Sequence, residues 1–288
     1  MEGKTVLITG ANSGIGKETT KELAKKGAKV IMACRNLESA NQVREEIAKE
    51  TGNENLIVMK IDLSSFQSIR DFAKEFLAKE QRLDVLIHNA GYGGAFSKHK
   101  SVDDIEITFA INHYGPFLLT HLLIDVLKKS APSRIIVVAS DLYKLAKVNL
   151  QNLNPTTTWP AYLYYSSKGA NIMFCTELAR RLEGTQITAN CLHPGLVDTA
   201  IWRNIPLPIK LPFNLINKMF FKTPQQGAQT SIYLASSEEV NDINGKYFID
   251  CKDSTNTLKP YIIDSEKCKF FWEESLKIVK IQEEDPKI

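Results

Sequence analysis

Cysteine pairs, long apolar runs and blocks of like charge are all scarce in this sequence of 288 residues. Its five cysteines form no C-x-x-C pair, which argues against a disulfide framework and against a metal site. No apolar run reaches the roughly 18 residues that cross a bilayer, and the first residues lack the apolar stretch of a signal peptide. The 36 basic and 33 acidic residues are interspersed, so nucleic acid is not an expected partner. These features favour a cytoplasmic protein that acts on a small molecule.

Short apolar runs alternate with helical patterns along the whole chain. Strands are predicted at 4–9, 29–33, 56–61, 85–88, 134–139, 187–192 and 246–249. Helices are predicted at 15–26, 37–51, 65–80, 102–129, 166–183 and 224–236. Because this order favours right-handed βαβ crossovers, the predicted fold class is α/β. We expect a single-domain, Rossmann-like, doubly wound parallel sheet of about seven strands with helices on both faces.

The chain shows no linker or internal repeat that would separate two domains. Residues 1–250 are predicted to form the Rossmann-like domain, and 251–288 a C-terminal extension that packs on it. Within this extension, 270–279 has the pattern of a short amphipathic helix, and 282–288 is predicted to be disordered.

The first predicted strand ends in a glycine-rich turn. Gly10, Asn12, Ser13, Gly14, Ile15 and Gly16 all fall in this turn or at the start of the helix after it. Glycines let the backbone approach a pyrophosphate, and the helix N-terminus attracts the anion. A P-loop is excluded, because Glu18 follows Lys17 where a magnesium-binding Ser or Thr is required. The turn therefore predicts a dinucleotide site, although its spacing departs from G-x-G-x-x-G.

The second strand ends in Arg35 and Asn36, where an NAD-binding fold usually presents a carboxylate to the ribose. A guanidinium can pair instead with a 2′-phosphate, so Arg35 favours NADP(H) as the cofactor. The alternative is that Arg35 is an ordinary solvated arginine. Further cofactor contacts are expected after the third and fourth strands, from Asp62, Leu63, Asn89, Ala90 and Gly91.

Tyr164 and Lys168 are four residues apart on a predicted helix, so their side chains share one face. The lysine cation, together with the positively charged nicotinamide ring, is expected to lower the pKa of the phenol and so make it a proton-transfer group. Ser140, at the end of the fifth strand, is placed to bond a substrate oxygen. Asn112 lies inside a helix, where asparagine needs a partner, and a water-linked role near the lysine is predicted. Considered alone, Ser140 is better interpreted as a helix or turn cap, and Asn112 as a structural residue.

These motifs resemble the short-chain dehydrogenase/reductase family, most of all its retinol dehydrogenase branch. The similar segments are Thr-Gly-Ala-Asn-Ser-Gly-Ile-Gly-Lys at 9–17, Ala-Cys-Arg-Asn at 33–36, Asn-Ala-Gly at 89–91, Ser-Lys at 167–168 and His-Pro-Gly at 193–195. The resemblance implies that Tyr164 is the general acid/base and that Lys168 binds the nicotinamide ribose. It implies that Ser140 orients the substrate oxygen and that Asn112 completes a proton relay.

The resemblance also implies that Pro194, Gly195, Val197 and Thr199 bracket the nicotinamide carboxamide. Three features depart from the branch. The N-terminal membrane-anchoring segment is missing, His88 replaces the usual asparagine, and Ala139 replaces a serine.

The segment 196–222 is unusually apolar, and by its position it resembles the family's substrate-covering segment. Such a lining suits a lipophilic substrate, although the same residues could simply pack on the core. Lys210, Lys218 and Lys222 in this segment allow a peripheral membrane contact. The expected activity is hydride transfer between NADPH and a retinal/retinol-like carbonyl or alcohol carbon, by a monomer or homodimer. The alternatives are a broad-specificity reductase for aldehydes, isoprenoids or steroids, and a non-catalytic NADP-binding scaffold.

Overall fold

The apolar runs form a central sheet in a computed structural model that describes residues 1–93, 99–155, 159–197 and 221–288. The strands are β1 (Thr5–Thr9), β2 (Lys29–Cys34), β3 (Leu56–Lys60), β4 (Val85–His88), β5 (Ser133–Val138), β6 (Ile187–His193), β7 (Tyr247–Ile249) and β8 (Lys252–Asp253). Their order is β3-β2-β1-β4-β5-β6-β7-β8. Strands β1 to β7 pair in parallel, and only β8 is antiparallel to its neighbour. The order reverses between β1 and β4, which is where open α/β sheets bind ligands.

The helices are α1 (Gly14–Lys25), α2 (Leu37–Thr51), α3 (Phe66–Lys79), α4 (Ile107–Phe109), α5 (Gly115–Lys129), α6 (Pro160–Arg181), α7 (Pro224–Ser236) and α8 (Ser265–Ile278). They cover the two faces of the sheet with separate cores. Val6 and Ile8 of β1 pack in the core that α1, α2 and α7 complete. Leu7, between them, points to the core that α3, α5, α6 and α8 complete. This alternation is that of a buried strand, and it confirms the predicted doubly wound fold.

The predicted helix over 102–129 is interrupted. The side chain of Glu106 accepts hydrogen bonds from the main chain of Thr108 and Phe109 and so begins the short helix α4. A π-helical turn at Ala110–Tyr114 then leads into α5. Pro116 lacks the N–H that would bond the Asn112 carbonyl four residues earlier, which explains why the regular ladder fails here.

Helix α6 begins six residues earlier than predicted. Proline is favoured in the first turn of a helix, and Pro160 stands at the first position of α6. Tyr164 therefore lies within the helix rather than at its start.

The end of the chain differs from the expected disorder at 282–288. Arg70 of α3 donates two hydrogen bonds of 2.7 Å to the carboxylate of Asp285, which is 7% exposed. The main-chain oxygen of Ile288 accepts a hydrogen bond from Arg181. The tail is thus tied to α3 and α6 by charged groups whose partners lie over a hundred residues away. Among the residues described, no helix is long and apolar enough to span a membrane.

Candidate active site

The glycine-rich turn after β1 is closed so tightly that only glycine fits at its third position. A Cβ added to Gly16 would lie 2.2 Å from the Gly10 carbonyl oxygen and 2.5 Å from the Asn89 amide nitrogen. Gly10 and Gly14 have φ of 67° and 52°, the left-handed region that favours glycine. Helix α1 begins at Gly14, so its N-terminus faces the cleft above the turn. The turn fits a pyrophosphate, because main-chain N–H groups can approach the anion with no side chain between them.

Asn89 supports this turn from β4. Its amide nitrogen donates to the carbonyl oxygens of Thr9 at 2.9 Å and Gly10 at 3.2 Å. The main-chain N–H groups of Asn89 and Ala90 both donate to the Thr9 hydroxyl at 3.1 Å. Asn89 lines the cleft, as predicted for a cofactor contact, but these bonds also make it the support of the phosphate turn.

The adenosine end of the site is a cleft of about 320 Å³ above the switch point of the sheet. It is lined by the predicted residues Gly10, Asn12, Ser13, Gly14, Ile15, Gly16, Arg35, Asn36, Asp62, Leu63, Asn89, Ala90 and Gly91. Arg35 is exposed at the cleft, and no carboxylate follows β2 at this point. Asn36 has a local role as well, because its side chain caps α2 by accepting from the Ser39 N–H at 3.1 Å. Asp62 accepts from the main chain and hydroxyl of Ser64.

A second pocket, at the carboxyl ends of β5 and β6, brings together three of the four predicted catalytic side chains, and Asn112 does not line it. Its lining includes Ser140, Tyr164, Lys168, Pro194, Gly195 and Val197, along with Leu142 and Leu196. Ile15, Asn89 and Gly91 line this pocket and the adenosine cleft alike, so the two form one groove. A nicotinamide dinucleotide laid along the groove would place its phosphates at the glycine turn and its reactive ring at Tyr164.

The surroundings of Tyr164 favour the protonated phenol. Burial raises the pKa of Tyr164 to about 12, and a hydrogen bond with Ser140 opposes that shift only in part. Burial also lowers the pKa of Lys168 to about 8. The Lys168 ammonium lies 5.7 Å from the centre of the Tyr164 ring and donates to the Val138 carbonyl at 2.9 Å. In the protein alone, burial of both groups outweighs the attraction of the cation, and the lowering expected from the cation together with the nicotinamide ring stays a prediction.

Asn112 uses its whole side chain to join the cofactor cleft to α6. Its oxygen accepts from the Tyr92 N–H at 2.7 Å, and its nitrogen donates to the Tyr92 carbonyl at 3.0 Å and the Ser167 hydroxyl at 2.9 Å. The Ser167 hydroxyl in turn donates to the Tyr164 carbonyl at 2.7 Å. Both amide hydrogens are thus used, while the oxygen keeps a second lone pair, so these contacts give Asn112 a positioning role and the water-linked relay stays a prediction.

Two residues of this arrangement escape the sequence reasoning. Tyr92 directly follows Asn-Ala-Gly and lines the cofactor cleft. Ser167 lies between the two proton-transfer residues, one turn after Tyr164 on the helix. The spacing of Ser167 from Tyr164 would have been a usable signal, whereas nothing local marks Tyr92.

The predicted carboxamide bracket is described only at its start. Gly195 has φ of 91°, and Val197 forms a parallel β-bridge with Lys222. The Lys222 side chain lies over Gly195, and its ammonium forms an ion pair with Asp250. Thr199 lies outside the described residues, as does the predicted substrate-covering segment except for its ends.

Two histidines outside the candidate site are buried and hydrogen-bonded within the core. His88 bonds the Thr120 hydroxyl at 2.8 Å, and His121 bonds the Phe117 carbonyl. Within the described ranges no three His, Cys, Asp or Glu residues are grouped as a metal site. Cys34 and Cys175 are buried and form no disulfide.

Comparison with known proteins defines the class to which this fold and site belong. The family model described as short chain dehydrogenase matches residues 4–208. The chain belongs to the short-chain dehydrogenase family, which confirms the predicted nicotinamide-dependent oxidoreductase.

Among its relatives, human retinol dehydrogenase 14 is 50% identical over 95% of this chain and 85% of its own length. Human retinol dehydrogenase 11 is 47% identical over 87% of this chain and 78% of its own length. Among solved structures, RhlG from Pseudomonas aeruginosa in an active-site complex with NADP is 25% identical with a TM-score of 0.69, over 86% of this chain and 94% of its own. The similarity to retinol dehydrogenases confirms the branch that the sequence predicts.

Proposed function

We propose that this protein is an NADP-dependent oxidoreductase that transfers hydride between NADPH and the carbonyl or alcohol carbon of a lipophilic, retinal/retinol-like substrate. The proposal depends chiefly on one observation, the meeting of Ser140, Tyr164 and Lys168 in a pocket continuous with the glycine-turn cleft. Relatives named retinol dehydrogenase at 50% and 47% identity support the substrate class.

The chain's own residues supply the proton and the orientation. NADPH, when bound, supplies the hydride. Tyr164, protonated because burial raises its pKa, donates its proton to the substrate oxygen as negative charge develops there. The Ser140 hydroxyl bonds Tyr164 in the protein alone, and with substrate bound its single O–H turns to the same substrate oxygen and stabilises the charge. Lys168 keeps two further N–H groups for the ribose hydroxyls, because only one is directed at Val138.

The choice of NADP over NAD depends on Arg35. The guanidinium is exposed at the end of β2 and lines the cleft beside Asn36. A bidentate pair with a 2′-phosphate needs a guanidinium of this kind with its donors open to the cleft. The NADP complex of the Pseudomonas relative supports the same cofactor.

A lipophilic substrate is supported by the walls of the catalytic pocket. Ile15, Leu142, Leu196 and Val197 line it beside the polar catalytic groups. Leu196, at the start of the apolar segment 196–222, is 39% exposed. A mostly apolar wall with a few polar groups at one end is typical of a pocket for an apolar molecule that carries one reactive oxygen.

The setting of the protein in the cell is also part of the proposal. We expect it to act in the cytoplasm, with a peripheral membrane contact through Lys210 and Lys218 beside the apolar segment. We expect a monomer or a homodimer.

The first experiment is a cofactor and substrate panel. Purified protein is mixed with NADPH and, separately, with NADH, and the cofactor absorbance is followed after addition of all-trans-retinal, other lipophilic carbonyls and small aldehydes. The expected result is consumption of NADPH, faster with retinal than with the other carbonyls. Turnover of the other carbonyls alone would replace the substrate class with the broad reductase. Binding of NADPH without any turnover would replace the enzyme with a scaffold.

A further inference from the structure

Two consecutive polar residues of the π-helical turn at Ala110–Tyr114 bond different parts of the molecule. Asn112 bonds Tyr92 in the cofactor cleft and Ser167 on α6. His113, the next residue, is fully buried and bonds the Ser275 hydroxyl of the C-terminal helix α8 at 3.1 Å. The turn thus connects the candidate active site to a helix 162 residues further along the chain.

The direction of the bond between His113 and Ser275 follows from the donors available. Ser275 has a single O–H, which it donates to the Phe271 carbonyl at 2.8 Å. Its oxygen is therefore left to accept, and the Nε2–H of His113 is the donor. The bond fixes both the tautomer and the direction of the ring. The Nδ1 atom is buried and has no hydrogen-bond partner in the described part of the chain, so Nε2 provides the polar anchor of this side chain.

Aromatic packing holds the same ring against α8. His113 stacks on Phe271 with centroids 4.6 Å apart and an angle of 29° between the planes. Its edge contacts Phe174 of α6 at 5.9 Å and an angle of 77°. Stacking alone permits the ring to slide in its plane, whereas the hydrogen bond to Ser275 defines its position along the stack.

We propose that Ser275 is a positioning residue for the active site, acting through His113 to fix the π-helical turn and hence the side chain of Asn112. The C-terminal helix is then part of the catalytic apparatus as well as a cover for the core. The bonds of Asn112 do not depend on what the protein catalyses. The expected effect on kcat, by contrast, rests on the proposed oxidoreductase function.

Two contacts transmit a displaced turn to the reacting groups. One is the pair of bonds from Asn112 to the main chain of Tyr92, which lines the cofactor cleft. The other is the chain from Asn112 through the Ser167 hydroxyl to the carbonyl of Tyr164. A small shift of the turn therefore misplaces the cofactor wall and the proton donor together, and such shifts reduce turnover more than binding.

The test compares Ser275→Ala, His113→Phe and the double variant. His113→Phe keeps a ring in the stack and removes only the hydrogen bond, so it remains informative if Ser275→Ala does not fold. Ser236→Ala is the matched control, because the Ser236 hydroxyl makes the same bond to the carbonyl four residues earlier and is far from the turn in sequence. Two quantities are measured: hydrogen exchange of the Tyr92 amide, which donates to Asn112, and kcat with KM for NADPH.

We expect faster exchange at Tyr92 and a kcat about tenfold lower in both single variants, with KM for NADPH changed less than kcat. The kcat of the double variant should fall no further than that of either single variant, because both substitutions remove the same hydrogen bond. Unchanged Tyr92 exchange, or faster exchange with normal kcat, would overturn the proposal while leaving the oxidoreductase function intact. Faster exchange in a protein that turns over no carbonyl would instead support the positioning of Asn112 and reject the proposed function.

Discussion

The Lys168 ammonium donates a hydrogen bond of 2.9 Å to the main-chain carbonyl of Val138, the last residue of β5. Ser140 follows Val138 by two residues, and Tyr164 precedes Lys168 by one helical turn. One hydrogen bond therefore sets the distance between the strand end that bears the serine and the helix that bears the tyrosine.

Replacement of Tyr164 by Phe removes the proton donor and keeps the ring. We expect kcat to fall at least about 100-fold, because general acid catalysis of this kind contributes 10²–10⁴. NADPH binding should stay within a few-fold of the parent value, since the ring still packs at 8% exposure. Stopped-flow turnover and NADPH fluorescence measure the two effects, and Tyr165→Phe is the neighbouring control. Retained turnover in the Tyr164 variant would assign the proton to another group.

Arg35→Asp should reverse the cofactor preference. The carboxylate repels a 2′-phosphate and can accept from ribose hydroxyls, so the ratio of kcat/KM for NADPH to that for NADH should fall by about tenfold or more. Arg44→Asp, which changes an exposed arginine of α2 outside the cleft, controls for the change in net charge. An unaltered ratio in the Arg35 variant would mean that this guanidinium does not read the phosphate.

The pH dependence of kcat/KM for carbonyl reduction should report Lys168. Burial lowers its pKa to about 8, so the free protein loses the ammonium as pH rises through that value, and kcat/KM should fall above about pH 8. Tyr164 does not contribute to this fall, because its pKa of about 12 keeps the phenol protonated. Lys168→Arg should flatten the profile at a lower level, since a guanidinium stays charged. A constant kcat/KM to pH 10 in the parent protein would contradict this assignment.

The turn between β7 and β8 is conformationally strained. Asp250 and Cys251 have φ of 50° and 61°, as two-residue hairpin turns require, but a Cβ is unfavourable there. Cys251→Gly should raise the free energy of unfolding by about 1 kcal/mol in urea titration. Cys251→Ala retains the Cβ and removes only the thiol, so its free energy of unfolding should not rise. Equal gains in both variants would assign the effect to the sulfur.

Asp285→Asn should weaken the attachment of the tail. The carboxylate is paired with Arg70 by two bonds of 2.7 Å and is 7% exposed, so the change leaves a half-buried guanidinium without its counter-charge. We expect a loss of about 2 kcal/mol in the free energy of unfolding. Glu284→Gln, at an exposed neighbour, should change stability little. The pKa of Asp285 is held below its usual value by Arg70 despite burial, so this stabilisation is present above pH 4 and is lost as pH falls further.

The parts that local sequence determines were predictable. Parallel strands buried on both faces give continuous apolar runs, so β1 to β7 were located to within a residue or two. Tyr164 and Lys168 are four residues apart, which places them on one face of a helix. Ser140 was found because it follows a predicted parallel strand, whose carboxyl end lies at the ligand-binding edge of the sheet. The strand β8 was missed because Lys252 and Asp253 are exposed and have no apolar pattern.

Features that depend on distant partners were not predictable. The bond between His113 and Ser275 and the pair between Arg70 and Asp285 join residues separated by 162 and 215 positions. The raised pKa of Tyr164 arises from burial that no single element defines. The helix at Gly115 begins late because Pro116 breaks the ladder, a signal that was present but outweighed by the apolar pattern around it.

The anchoring of the tail also has a consequence for synthesis of the protein on the ribosome. Domains fold from the N-terminus as the chain emerges, and α3 and α5 are made long before the residues that complete their surface. Arg70 can bond Asp285, and Lys128 can bond the Lys287 carbonyl, only after those two late residues have been added. The nascent chain therefore cannot assume its final structure until residues 285 and 287 have left the ribosome.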